Sequence, residues 1–158
     1  MPAQLPKELV ELVEGGASIL VGTRDEALRP ECLRAVGAAI GAGRSTLTVY
    51  VPSELAARTL ANLEHNGAIA VTFSQISNHR TLQVKGKLRA LRRARRNERG
   101  LQERWLAAFT EQLHMTGFSR RIGRRLRYWP SLALELEIHE LFAQTPGPGA
   151  GRRIETPA

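Results

Sequence analysis

"TVYVPSELAARTLANLEHNGAIAVTF", residues 48–73, is the stretch on which the fold turns. It begins as the end of an alternating strand, Pro52 and Ser53 stop it, a short helix follows, and Asn66-Gly67 returns the chain to an apolar strand. Ser53 has the side chain of a helix N-cap, so a helix is expected over 54–65 with Leu55, Thr59, Leu60 and Leu63 facing inward. Arg58 then stands among small and apolar residues in the first half of that helix. It is either a solvated surface charge or is aimed at an anion where the helix begins. Free N–H groups and the helix dipole favour an anion there, and a guanidinium adds charge-assisted bonds. Glu54, at the first helical position, works against it.

Outward from this stretch the pattern is mostly of strands. Upstream, residues 5–14 predict a short helix with Leu5, Leu9 and Leu12 or Val13 on one face, stopped by Gly15-Gly16. "ASILVGT" (17–23) and the small-residue run "ECLRAVGAAI" (31–40) read as two strands around a polar turn. In "TLTVYV" (46–51), Leu47, Val49 and Val51 alternate with Thr46, Thr48 and Tyr50, leaving one face for the core and one for something else. Downstream, "AIAVTF" (68–73) and "TLQVKGKLRAL" (81–91) alternate too, the second with Leu82, Val84, Leu88 and Ala90 inward. A long helix from about Glu98 to Thr116 carries Leu101, Trp105, Ala108, Phe109 and Leu113 as its stripe. A shorter helical piece sets Ile122, Leu126 and Trp129 on one side. "SLALELEIHELF" (131–142) is a last strand whose alternation slips near His139-Glu140, as a bulge would cause. About six short, antiparallel strands with one helix inside the strand run and one before the last strand predict a small β-barrel with peripheral helices. Residues 1–144 are expected to form one domain and 145–158 a Pro/Gly-rich coil.

Composition narrows the classes. The chain has 158 residues, enough for a sizeable core, and no apolar run long enough for a transmembrane helix. Its acidic, amphipathic start is unlike a secretory signal, and Cys32 is the only cysteine, so a cytoplasmic protein without a disulfide or cysteine-based zinc site is expected. The net charge of +8 belongs to one segment: Lys85–Arg127 holds fourteen Lys and Arg against Glu98, Glu103 and Glu111, leaving the remainder at −3. Such a run invites a nucleic-acid reading. The aromatic interleaving of a single-strand groove is missing, and no helix-turn-helix or RNA-binding aromatic motif accompanies it. A solvated helix face, or an anionic ligand beside the site, uses the same charge. His65, His79, His114 and His139 lack metal spacing, and Glu135 and Glu137 are expected on a solvated strand face. No nucleophile elbow, P-loop, dinucleotide glycine motif or paired-histidine zinc motif occurs.

In order, "LRAV" (33–36), "VYV" (49–51), the helix with Arg58, "LEHNGAIAVTF" (63–73) and "HRTLQVKGKLRAL" (79–91) together resemble the pyridoxamine 5′-phosphate oxidase-like family of FMN-binding split barrels. The most telling pieces are the asparagine-containing helix exit and the Arg-x-x-x-Val-x-Gly pattern from Arg80 to Gly86. The resemblance covers about residues 17–92, and 131–142 more loosely. It implies a homodimer with flavin sites at the interface, and FMN as the cofactor of an oxidoreductase acting on an unknown small molecule.

Carried over by residue, the resemblance implies that Arg34 reaches FMN, with Ala35 and Val36 offering backbone beside it. Tyr50 and Val51 would lie by the flavin and its tail, and Arg58 would grip the phosphate. Thr59 stands where a second phosphate-binding lysine is often found. Thr81 stands where glutamine is common and would come from the other chain. The plain structural roles are surface charge for Arg34 and Arg58, cross-strand packing for Tyr50 and strand surface for Thr81. Ala39 replaces a lysine of true pyridoxamine phosphate oxidases, and their C-terminal tryptophan and arginine pattern is absent from "LFAQTPGPGAGRRI". The alternative is a basic protein that keeps the barrel for an anionic ligand or nucleic acid, without redox turnover.

Overall fold

A computed structural model describes residues 1–156. A 3-10 turn at Lys7–Leu9 runs into α1 (Val10–Glu14), which buries Leu9, Leu12 and Val13. β1 (Ser18–Arg24), β2 (Pro30–Arg34), β3 (Ala38–Ile40) and β4 (Thr46–Pro52) follow. A second 3-10 turn, Ser53–Leu55, leads to α2 (Ala57–Asn66), β5 (Ala68–Ser74) and β6 (Thr81–Arg93). A third, Arg96–Glu98, opens onto α3 (Arg99–Met115), α4 (Arg121–Arg124), β7 (Ser131–Ala143) and β8 (Arg152–Arg153).

The strands form one antiparallel sheet in the order β2-β1-β5-β6-β7-β4-β3, with β8 paired to the end of β7. The two ends of that order, β2 and β3, are neighbours in sequence. Ala35, Val36 and Gly37 cross between them and fasten to both sides: Ala35 N donates to Ile19 O at 2.9 Å and Val36 N to Tyr50 O at 2.7 Å. Tyr50 N donates back to Gly37 O at 3.0 Å. The sheet curls onto itself through this crossover without a continuous ladder, which makes it a split barrel.

Residues 31–40 are therefore two strands where one was expected. Gly37, at φ +133°, makes the turn from the β1 side to the β4 side, a conformation that a side chain disfavours. Four other expectations change. Strand pairing gives eight strands, not about six, because the crossover splits one and the Pro/Gly-rich tail returns as β8. Ser53 begins a 3-10 turn and makes no side-chain cap; α2 starts at Ala57, behind Ala56. Leu55 is 57% exposed because that turn points it away from the core, and Ile122 is exposed as well. Gly67 does end α2 as expected, in the left-handed conformation with its N–H on Leu63 O.

Alternate residues of the strands, among them Ile19, Val21, Val49, Val51, Val71, Phe73, Val84, Leu134, Leu136 and Ile138, are fully buried in the barrel. α3 covers one side of it. Trp105 Nε1 donates to Ala17 O at 2.9 Å, and its ring stacks on Phe109 with centroids 4.9 Å apart. Beneath the same helix Gln102 is buried and accepts from Ser131 Oγ at 2.8 Å. The expected bulge is present: Lys85 pairs with Glu140 and Gly86 with Ile138, leaving His139 as the extra residue of β7.

Candidate functional site

In the β4–β7 pair, Pro52 stands opposite Ser131, and Ser53 N donates to Pro130 O at 3.0 Å. This register brings the arginine-rich run before Pro130 alongside the turn that leads into α2. Between them lies an open cleft of about 460 Å³ with Val36, Pro52, Leu55 and Leu126 as its apolar lining. Arg34, Arg125, Arg127 and Glu54 supply its charges. A depression of equal volume beside α2 is bordered by Asp25 and Glu26, whose carboxylates oppose an anionic ligand.

Arg34 projects from the end of β2, exposed, with Nη1 donating to Ser18 Oγ at 2.9 Å and its guanidinium 5.6 Å from the Phe109 ring centroid. Val36 is in the same cleft. Ala35 is buried beside it with its N–H held by Ile19, and Val51 lies wholly in the core. Arg58, in the first turn of α2, has a side chain that is 79% exposed and pairs loosely with Glu31, Nε to Oε2 at 3.8 Å. Thr59 faces inward, fully buried, with its hydroxyl lacking a hydrogen-bond partner. Thr81 is outside the cleft of its own chain; its hydroxyl lies 3.0 Å from Ser74 Oγ and 2.8 Å from His79 O.

Tyr50 is 2% exposed, and its hydroxyl donates to Glu98 Oε1 at 2.9 Å. The strand face read as free for a ligand is covered here by the turn Arg96–Glu98. Arg92 holds the same carboxylate through both terminal nitrogens, at 2.7 and 2.8 Å, and donates from Nε to Glu135 at 2.7 Å. Glu135 thus belongs to an ion network, not to a solvated face. Arg92 is the main cause that holds the Glu98 carboxyl down to about 2, with Arg95 N and Tyr50 adding to it. Burial pushes the Tyr50 hydroxyl well above its usual range, and the bond to Glu98 adds to that. Neither this network nor the wall formed by Arg125 and Arg127 was singled out from the sequence, because both depend on pairings between distant segments.

The architecture is that of the pyridoxamine 5′-phosphate oxidase-like split barrels. No protein-family model matches the chain, and no curated protein matches it. Solved structures do. HupZ of Group A Streptococcus superposes with a TM-score of 0.58 at 14% identity, covering 94% of this chain and 100% of that one. A protein from Clostridium acetobutylicum, related to a general stress protein of the pyridoxinephosphate oxidase family, gives 0.55 at 16% identity over 95% and 94% of the two chains. An FMN-binding protein from Syntrophomonas wolfei gives 0.53 at 14% identity, over 85% of each. At these identities the likeness establishes the fold.

Proposed function

We propose that the chain binds FMN non-covalently at this cleft and serves as a flavin-dependent oxidoreductase, working as a homodimer. The cleft carries the proposal: its volume of about 460 Å³ is in the range of small-molecule sites, and its apolar lining suits a planar aromatic ring. Arg34 on its rim supplies donors to the ring. Arg58 lies outside the cleft lining, exposed in the first turn of α2 where Ala56 makes no side-chain cap, and would take the phosphate there. The presence of a named FMN-binding protein among the structures sharing the fold supports it. FMN would supply the electron-transfer chemistry, and the chain the binding and orientation.

Val36 would form part of the wall, with Ala35 as backing, and the partner subunit's Thr81 would complete the site. Tyr50, Val51 and Thr59 are buried outside the cleft lining, so their expected contacts with the flavin are not carried into the proposal. No described helix is long and apolar enough to cross a membrane. With Cys32 as its single cysteine, the cytoplasm is the proposed setting.

The test is titration of FMN and riboflavin into the parent and Arg58→Ala by calorimetry. FMN should bind the parent and lose about 1.5–3 kcal/mol in the variant, the range for a hydrogen bond to a charged group. That is roughly 10- to 150-fold in Kd. Riboflavin, without a phosphate, should bind both alike. A parent that gives no FMN signal ends the flavin proposal. Unchanged FMN affinity in the variant leaves Arg58 a surface arginine paired with Glu31.

A further inference from the structure

The cleft has more positive charge than a phosphate held at Arg58 would use. Three guanidiniums, of Arg34, Arg125 and Arg127, stand around its apolar lining against the single carboxylate of Glu54. Arg34 is already turned to Ser18 and Phe109. Arg127 Nη1 donates to Glu54 Oε2 at 2.7 Å, joining the two walls across 73 residues of sequence. Arg125 has no ion-pair partner among the described residues. Both side chains of the Arg127–Glu54 pair are largely exposed, at 74% and 47%, so the pair contributes little stability and is readily exchanged.

We propose that the far wall of the cleft is a subsite for a small amphipathic anion, an apolar body bearing a carboxylate, sulfonate or phosphate. Arg125 and Arg127 are its specificity-determining residues, and Glu54 is the internal anion that such a ligand displaces. Leu126, between the two arginines in sequence, receives the apolar body. The charge balance favours an anion over neutral and cationic ligands of the same shape, because only an anion can take the place of Glu54 as a partner of the arginines. This deepens the flavin proposal by naming the class of its second ligand, and it rests on the cleft being the ligand site.

The probes are 1-anilinonaphthalene-8-sulfonate and its uncharged analogue N-phenyl-1-naphthylamine, titrated by fluorescence without FMN. Arg125→Gln and Arg127→Gln should each weaken the sulfonate by about tenfold, the loss of one charge-assisted bond. Glu54→Gln should tighten it about threefold by removing the competing carboxylate. The uncharged probe should stay within about twofold throughout, since it gains nothing from charge-assisted bonding. Arg127→Lys should keep most of the sulfonate affinity and replaces Arg127→Gln if circular dichroism shows that variant unfolded.

A sulfonate affinity indifferent to all of these substitutions overturns the proposal. So does a parallel change in the uncharged probe, which would make the arginines packing residues only. FMN titrations of the same variants keep the two proposals apart: a parent that fails to bind FMN but shows the sulfonate pattern loses the flavin and keeps the anion subsite.

Discussion

Glu98 is where four donors converge: the Tyr50 hydroxyl, two nitrogens of Arg92 and the backbone N–H of Arg95. Its carboxyl is held at about 2, below the ordinary 4.5, so its ionised form is preferred in the folded state. The stabilisation is therefore complete above pH 4.5 and is lost as pH falls toward about 2. Glu98→Gln should cost on the order of 3 kcal/mol at pH 7, with the difference from the parent closing across that acid window. Urea unfolding at pH 7, 4 and 2 measures it; a difference independent of pH would mean that shape, not charge, matters at this position. Tyr50→Phe removes one of the four bonds and should leave most of the acid sensitivity in place. The alternation of residues 46–51 placed Tyr50 opposite the inward Val49 and Val51, and that geometry is correct. What covers it arrives 48 residues later, and no local pattern encodes so distant a partner.

At the level of elements, β6 and β7 show why Gly86, which ends the Arg-x-x-x-Val-x-Gly pattern, is a glycine in this chain. A Cβ on Gly86 would run into the backbone carbonyl of Glu137 where the His139 bulge draws the two strands together. Backbone cannot move aside as a side chain can, so Gly86→Ala should destabilise by about 1–3 kcal/mol. Gly22→Ala, whose Cβ would meet Ala70 O at an ordinary 3.7 Å, is the control and should be nearly neutral. Chemical-denaturation midpoints compare the two, and equal midpoints would dismiss the clash. The bulge itself was legible, because the polar pair His139-Glu140 breaks a clean period of two. The start of α2 was not: Pro52-Ser53 serves a helix cap and a 3-10 turn equally well, and the bond from Ser53 N to Pro130 O decides between them.

For the whole molecule, short connections and alternation pointed to an antiparallel barrel, whereas the order of its strands depends on contacts that no segment announces. The basic segment is also less open than its charge implies, since Arg92, Arg99, Arg120 and Arg127 all pair with carboxylates. The proposed homodimer should sediment at twice the chain's 17.5 kDa at micromolar concentration; a single species at the chain's own mass would refute it.

The place of β7, between β6 and β4, carries a consequence for how the protein is made. Until residues 131–143 leave the ribosome, the strand that pairs with both β6 and β4 is missing, and the β2-β1-β5-β6 and β4-β3 parts of the sheet are joined only through the Ala35–Gly37 crossover. Completion must wait for nearly the whole chain, and the edges of β6 and β4 stay bare throughout synthesis. A fragment ending at residue 128 should accordingly be aggregation-prone by light scattering. A peptide of residues 129–156, added in trans, should rescue it by filling the gap. If that fragment remains monodisperse without the peptide, the two halves of the barrel have found each other by another route, and β7 is a latecomer to a structure already formed.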